Sequence, residues 1–296
     1  MKNLPLPSKN YTEMLNKCAS GMLQINVKDN FLRHIPLFLQ KENQYQTLSS
    51  LGKLFTYPKT VPLNDLTQVV GNLTKSKLEN LYVNNLRNKD KPARNYYDEL
   101  LVSSGELCPF CGDIGYTRNL DHFLPVAHFP EFSVMPINLV PSCRDCNMGE
   151  KGAGFAITEG EQAIHPYIDK DIFFKEQWVF ANYTSEDIGA VTFFVRCPEA
   201  WGVEDKLRAN YHFLMLNIGN RYRLEAGKHL SDVMLQRNAH FKTFRSLFPE
   251  ITIEQIMAAF IQIVLQPIID SEVFPNQWKK VMYQCLANSE EFFNFE

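Results

Sequence analysis

The sequence predicts an α+β protein in which a small zinc-stapled module lies between two mostly helical regions. Two observations predict this arrangement. Two C-x-x-C pairs, Cys108–Cys111 and Cys143–Cys146, enclose the module, and apolar residues recur at helical spacing before and after it. We therefore divide the chain into a helical N-terminal region at residues 1–104, the module at residues 105–160 and a mostly helical C-terminal region at residues 161–296.

The N-terminal region has its clearest helical pattern over residues 63–88, where apolar side chains follow the three-and-four spacing of an amphipathic helix. Pro92 fits the first turn of the next helix, because proline lacks the amide hydrogen that a first turn leaves unpaired. That helix carries Tyr96 and ends near Ser103, just before Gly105 and the first cysteine pair. The sequence thus predicts helices up to the edge of the module.

Two runs in the C-terminal region are rich in aromatic and β-branched residues, Trp178–Tyr183 and Val191–Val195. This composition is typical of strands, so we expect a strand pair near residues 178–196. The tripeptide Asp187-Ile188-Gly189 between the runs predicts a hairpin turn. Helical periodicity predicts three further helical segments after the strands, at residues 203–247, 252–265 and 273–295.

The composition is that of a globular protein, with 45% hydrophobic and 21% charged residues, and the formal net charge is -3. Overall basicity therefore cannot drive nucleic-acid binding, and any phosphate-facing surface must be local. Residues 75–94 and 206–245 are rich in Lys and Arg and are candidates for such a surface, although a solvated helix face is the commoner meaning of such stretches. The module is acidic, so the flanking helices or a partner would have to supply positive charge.

No segment reaches the roughly 18 uncharged apolar residues that a membrane helix requires. The N-terminus also lacks the apolar run of a signal peptide. We therefore expect a cytoplasmic protein with no membrane partner.

The two cysteine pairs predict a metal site, because closely spaced pairs in a reducing compartment favour metal over disulfide. Four thiolates saturate a tetrahedral zinc ion and leave no open coordination position. The predicted zinc ion is therefore structural, and its ligands are Cys108, Cys111, Cys143 and Cys146.

Residues 112–142 separate the two pairs, which is longer than a simple zinc ribbon requires. Asp121 and His122 lie in this segment. On a strand they would point to opposite faces, but at a strand end both can reach one cleft. A histidine can take a proton from water near neutral pH, and a carboxylate is a common Mg²⁺ ligand. The competing interpretation is a pair that caps the protein's own backbone.

The order of these residues resembles the HNH endonucleases that carry a four-cysteine zinc site. The shared pattern is C-x-x-C, Asp-His, Asn-Leu-Val-Pro-x-Cys and x-x-Cys-Asn-x-x-x-Lys. The resemblance implies a ββα-metal, treble-clef-like unit in which two strands and a helix surround one catalytic Mg²⁺ or Mn²⁺ ion. It also implies that His122 is the general base, that Asn138 braces the loop holding this histidine, and that Asp121 and Asn147 bind the catalytic ion.

A narrower resemblance connects the chain with the HNH subunits of bacterial antiphage systems of the Septu type, some of which are associated with retrons. It rests on Leu-Asp-His-Phe-Leu-Pro, on Asn-Leu-Val-Pro-Ser-Cys-x-x-Cys-Asn and on the later His-Pro-Tyr. Those subunits are encoded beside an ATPase, so the resemblance implies an ATPase partner and a role in antiviral defence. It covers neither residues 1–90 nor the helices after the strand pair.

Four further side chains near the pattern are candidate phosphate contacts: Lys151, Arg144, Arg118 and His128. Together with the resemblance they predict a metal-dependent endonuclease that acts on nucleic acid, with DNA favoured over RNA. The alternative is a non-catalytic zinc module that scaffolds other molecules or binds nucleic acid. A zinc deaminase is disfavoured, because the chain lacks a thiol-and-histidine ligand set with an open position and the glutamate that accompanies it.

Overall fold

The computed structural model describes residues 1–61, 64–186 and 190–294. The chain folds into two units, Lys2–Lys170 and Asp171–Glu296, and Met1 is grouped with the second. Both units are mostly helical and contain small two-stranded sheets. The predicted mixture of helices and strands is therefore confirmed.

The first unit begins with helices whose starts and buried faces are visible in the sequence. The first helix starts at a capping box, in which the side chains of Asn10 and Glu13 each accept a hydrogen bond from the other's amide at 2.9 Å. Its apolar face, which includes Met14 and Cys18, is fully buried. The α-helices of this unit are α1 (Tyr11–Ser20), α2 (Ile25–Leu32), α3 (Ile35–Ser50), α4 (Lys75–Leu81) and α5 (Arg94–Val102).

The helix predicted over residues 63–88 is wrong in its first half, and Leu63 lies outside the described residues. A short strand pair, β1 (Gln68–Val70) and β2 (Leu73–Thr74), precedes α4. Gly71 turns the chain between these strands with a φ of +57°, a left-handed conformation that interrupts a helix. The apolar spacing is therefore helical only from α4 onward.

The cysteine module is built on two antiparallel strands, β3 (Asn119–His122) and β4 (Leu139–Ser142), in which His122 pairs with Leu139. A π-helical segment, Asp145–Lys151, follows β4. Helix α5 packs against both strands. The N-terminal helices and the module consequently form one unit, without the boundary between them that the sequence predicts.

The second unit contains the predicted strand pair, formed by β5 (Val179–Thr184) and β6 (Ala190–Val195). The turn predicted at Asp187-Ile188-Gly189 lies outside the described residues. The α-helices of this unit are α6 (Ile172–Lys175), α7 (Val203–Met215), α8 (Ile218–Leu247), α9 (Ile253–Phe260), α10 (Gln266–Ile269), α11 (Trp278–Ala287) and α12 (Glu290–Phe293).

Two of the predicted C-terminal helices are divided in the structure. Asn217 interrupts the first with a φ of +50° and separates α7 from α8. The last predicted helix consists of α11 and α12, and its final residue, Phe295, lies outside the described residues. The buried carboxamide of Asn276 supports β5 by accepting hydrogen bonds from the amides of Trp178 and Val179.

Among the described helices, none combines the length and the apolar character that crossing a membrane would require.

Candidate functional site

Four cysteine side chains form a compact cluster. The Sγ atoms of Cys108, Cys111, Cys143 and Cys146 all lie within 4.8 Å of one another, and all four residues are buried. Cys143 directly follows β4, and Cys146 lies in the π-helical segment. The amide of Asp113 donates to the Cys108 carbonyl at 3.1 Å and closes the turn of the first pair. Two separate turns thus present their sulfurs to one point.

This cluster is consistent with a tetrahedral zinc site. Zinc–sulfur bonds of about 2.3 Å place four sulfurs roughly 3.8 Å apart, a spacing that the observed cluster can reach with small side-chain shifts. The network among the thiols lowers the pKa of Cys143, whereas burial and the same network raise those of Cys108 and Cys146. Zinc binds the thiolate form, so its binding would release protons from the raised thiols. Because four thiolates leave no open position, a zinc ion here would be structural.

The ring of His122, at the end of β3, makes one well-defined hydrogen bond. Its Nε2 lies 2.8 Å from the main-chain oxygen of Ser133. Burial lowers the pKa of His122 to about 4; the hydrogen bond to Ser133 opposes this shift, and the Lys151 ammonium adds to it. The ring is therefore neutral at neutral pH. Because a carbonyl only accepts, Nε2 carries the hydrogen and Nδ1 keeps its lone pair.

The Asn138 side chain is completely buried and joins distant parts of the loop at residues 123–138. Its Oδ1 accepts from the Leu124 amide at 2.8 Å. Its Nδ2 donates to the carbonyls of Leu124 and Phe132 at 3.2 and 3.3 Å. Since Phe132 immediately precedes Ser133, these bonds hold the loop next to the carbonyl that receives the His122 hydrogen bond. This is the geometry that a loop-bracing role requires.

Tyr45 and His165 extend this network, although the sequence analysis assigned neither to the site. The amide of Tyr167 donates to His165 Nδ1 at 3.2 Å, so the neutral His165 ring carries its hydrogen on Nε2. That Nε2 faces the Tyr45 hydroxyl at 3.3 Å, and the hydroxyl donates to Asn138 Oδ1 at 3.2 Å. The His-Pro-Tyr triplet was visible in the sequence, whereas Tyr45 had no local pattern that could have identified it.

Asp121 forms a buried ion pair with Lys151. The Lys151 Nζ lies 3.0 Å from Oδ2 and 3.2 Å from Oδ1 of Asp121, and it donates to the His122 carbonyl at 2.7 Å. The Asp121 and Lys151 side chains are only 4% and 6% exposed. Burial raises the pKa of Asp121, and the Lys151 ammonium opposes this rise. Within the described residues no hydrogen-bond donor is aligned with Oδ2, so its contact with Lys151 is electrostatic.

The oxygen atoms around the Lys151 ammonium suit a hard cation. They comprise a carboxylate and a main-chain carbonyl, which are typical ligands of Mg²⁺ and Mn²⁺. Asn147, the second predicted ligand, is half-buried in the π-helical segment. In the described part of the chain, the groups that act on the Asp121 carboxylate are Lys151 and the His122 amide, not Asn147. The ligand roles of Asp121 and Asn147 stay predictions.

The predicted phosphate contacts differ in their surroundings. Arg118 and Arg144 are exposed, one just before β3 and the other just after β4. The His128 ring packs 5.2 Å from the ring of Phe155. Lys151 is engaged in its ion pair and would have to move before it could contact a phosphate. All four assignments stay predictions.

Tyr82, which follows α4, contacts the ring of the predicted base, and Arg87 in turn contacts Tyr82. The Tyr82 ring meets the His122 ring edge-on, with ring centres 4.6 Å apart. Arg87 is exposed and places its guanidinium 5.9 Å from the centre of the Tyr82 ring. Arg87 belongs to the basic stretch at residues 75–94, but composition alone could not identify which cation of that stretch lies beside the aromatic ring that contacts His122.

Comparison with known proteins gives a relative that spans the whole chain. Protein ea31 of Escherichia phage lambda is 67% identical to it over 293 residues, which cover 99% of each chain. No family model matches the chain, and no solved structure matches it. The similarity includes both structural units and the complete cysteine module.

Proposed function

The chain belongs to the family of protein ea31 of Escherichia phage lambda, and we propose that it is a metal-dependent endonuclease of the HNH type that hydrolyses phosphodiester bonds. In this proposal β3, β4 and the π-helical segment form the ββα-metal unit, and the cysteine cluster holds a structural zinc ion. The observation that carries the proposal is the His122–Ser133 hydrogen bond on a loop braced by Asn138. It leaves the lone pair on Nδ1 and fixes the ring's orientation.

His122 is the proposed general base. Its Nδ1 accepts a proton from water while the water oxygen forms a bond to phosphorus and the bond from phosphorus to the leaving 3′ oxygen breaks. Because Nε2 is hydrogen-bonded to Ser133, the ring cannot present Nε2 to the water in place of Nδ1 without losing this part-buried hydrogen bond. General-base catalysis of this kind contributes roughly 100- to 10,000-fold to the rate.

Asp121 and Asn147 are the proposed ligands of the catalytic Mg²⁺ or Mn²⁺ ion. When bound, the ion would neutralise charge on the scissile phosphate and on the leaving oxygen. The support for this assignment is the oxygen set around Asp121, which already accommodates one positive charge. Asn147 projects from the segment that also carries Cys146, so a zinc ion would fix the helix that presents it.

Nucleic acid is the proposed substrate, with DNA favoured over RNA. Arg118 and Arg144 are exposed at the end of the strand pair where β3 begins and β4 ends, opposite to His122, and Arg87 is exposed beside Tyr82, whose ring contacts His122. Guanidinium groups in these places can contact backbone phosphates along a bound strand. The formal net charge of -3 means that this local positive surface, rather than overall charge, would determine binding.

The resemblance to Septu-type subunits supports a protein partner and a biological role. We propose that the nuclease acts in the cytoplasm with an ATPase subunit encoded beside it, as the effector of an antiviral defence system. Since its relative is a phage protein, such a system would be carried by a phage genome and directed against competing phages.

A non-catalytic zinc scaffold is the second candidate function. The observation that favours it is the Asp121–Lys151 ion pair, because a carboxylate neutralised by a buried lysine can serve a purely structural purpose. The two candidates differ in their need for His122. A scaffold tolerates replacement of this ring, whereas the nuclease does not.

The test is a cleavage assay with the full chain loaded with zinc, with and without the ATPase. Plasmid DNA and total RNA are incubated with Mg²⁺ or Mn²⁺, and wild type is compared with His122→Ala. We expect cleavage to fall at least about 100-fold in the variant, with zinc content and circular dichroism unchanged. His229→Ala is the matched control, since His229 packs on Trp278 in the second unit and should leave cleavage intact. Cleavage that survives in His122→Ala, or no cleavage under any of these conditions, would reject the proposal.

A further inference from the structure

Lys151 places an ammonium group at the position where the proposed function requires a divalent cation. Its Nζ lies 2.7 to 3.2 Å from three oxygen atoms, namely the His122 carbonyl and both carboxylate oxygens of Asp121. The lysine and aspartate side chains are almost completely buried. The singly charged ammonium of Lys151 therefore contacts the same oxygen atoms that would bind the metal.

The two cations exclude each other on steric and electrostatic grounds. Mg²⁺ requires oxygen ligands at about 2.0–2.1 Å in a near-octahedral arrangement. Because the ammonium lies within 3.2 Å of both Asp121 oxygens, a divalent ion bound to either oxygen would have to occupy the space of the ammonium or lie directly beside it. A divalent ion and an ammonium a few ångströms apart would also repel each other strongly in a buried site.

We propose that Lys151 is a built-in competitor for the divalent metal, and that the metal binds Asp121 only when the lysine side chain leaves. This inference rests on the proposed function, because it concerns the same metal site. Without metal, the ion pair keeps the Asp121 carboxylate neutralised and the site closed. The free energy of metal binding is then the free energy gained from the metal–carboxylate interaction less the free energy lost when the lysine ion pair breaks.

The surroundings of Lys151 permit this movement. It is the last residue of the π-helical segment, and the next residue, Gly152, has a φ of +51° that favours glycine. The three residues before it, Met148, Gly149 and Glu150, are exposed. The segment that carries this side chain is therefore open to solvent just before Lys151 and ends at a glycine. Once displaced, its ammonium is available to contact a phosphate, the role that the sequence predicts for it.

The first test measures metal binding by calorimetry, with the zinc-loaded full chain titrated with Mn²⁺. We expect Lys151→Met to bind Mn²⁺ on the order of 10-fold more tightly than wild type, as for typical coupling between competing sites. Lys175→Met removes an exposed ion pair with Asp171 in the second unit and should leave the affinity unchanged. The double variant Asp121→Asn/Lys151→Met is neutral at both positions, so it should fold and should not bind Mn²⁺ at this site.

The second test uses wild type, so it does not depend on the stability of a variant. An amine-acetylating reagent followed by mass spectrometry should modify Lys151 slowly without Mn²⁺, because its side chain is only 6% exposed. Saturating Mn²⁺ should increase the modification of Lys151 several-fold while exposed Lys175 is modified equally in both conditions.

Two results would overturn the inference. One is an Mn²⁺ affinity in Lys151→Met equal to or weaker than that of wild type, and the other is metal that binds to wild type without increasing Lys151 modification. Neither measurement requires cleavage, so the inference can fail while the nuclease proposal holds. Conversely, a protein that cleaves nothing could still show the competition.

Discussion

The imidazole of His122 and the main-chain carbonyl of Ser133 are joined by a 2.8 Å hydrogen bond between residues that are 11 positions apart. The ring belongs to the end of β3, and the carbonyl belongs to the loop that leads to β4. This bond determines which ring nitrogen keeps its lone pair, and Asn138 holds the carbonyl of the preceding residue, Phe132. The chemistry at His122 therefore depends on the conformation of the loop.

The first prediction concerns the tautomer of His122. With ¹⁵N-labelled histidine, the ring-nitrogen shifts at neutral pH should place the hydrogen on Nε2 and the lone pair on Nδ1. With a pKa of about 4, the ring should not titrate near neutrality. The resonances can be assigned by their loss in His122→Ala. A ring with its hydrogen on Nδ1 would mean that the bond to Ser133 does not exist in solution.

The second prediction concerns the brace at Asn138. Asn138→Ala removes three buried hydrogen bonds to the loop. The stability of the folded loop should therefore fall by about 3 kcal/mol, at roughly 1 kcal/mol for each bond. Tyr45→Phe removes one hydroxyl from the same network and should lower the stability of the folded loop by about 1 kcal/mol. Amide hydrogen exchange of a peptide covering residues 123–138 measures both effects. Equal exchange rates in the two variants would show that Asn138 does not hold the loop.

The third prediction concerns the cysteine cluster. Cys111→Ser should lose the zinc ion, and the unit Lys2–Lys170 should lose much of its stability, because structural zinc sites contribute on the order of 10 kcal/mol of binding free energy. Metal content by atomic emission and thermal unfolding by circular dichroism measure these changes. Cys285→Ser is the control, since this half-buried cysteine lies on α11 in the other unit. Zinc retained at one ion per chain in Cys111→Ser would contradict the assignment.

The fourth prediction concerns Arg87. In the His122→Ala background, which binds without cleaving, Arg87→Gln should weaken DNA binding. It should also reduce the slope of log affinity against log salt by about 0.9, the value for one lost phosphate contact. Arg33→Gln, an equally exposed arginine at the end of α2, should leave both quantities unchanged. Fluorescence anisotropy at several salt concentrations gives the comparison, and an unchanged slope in Arg87→Gln would remove this residue from the interface.

The sequence by itself determined those features that depend on interactions between residues close together in the chain. The spacing within each C-x-x-C pair closes a turn around its own sulfurs, so the cysteine cluster could be expected before any coordinates. Enrichment in aromatic and β-branched residues likewise predicted β5 and β6 within one residue of their ends. The same reasoning failed at β1 and β2, because apolar spacing alone does not reveal a left-handed turn at Gly71.

Only the tertiary structure decided which distant groups meet. Lys151 pairs with Asp121 from 30 positions away, and Tyr45 reaches Asn138 from 93 positions away. Burial gives these contacts their importance, because a charge or hydroxyl removed from water must find its partner inside the protein. That partner is selected by how the helices pack around the strands, which no local pattern in the chain encodes.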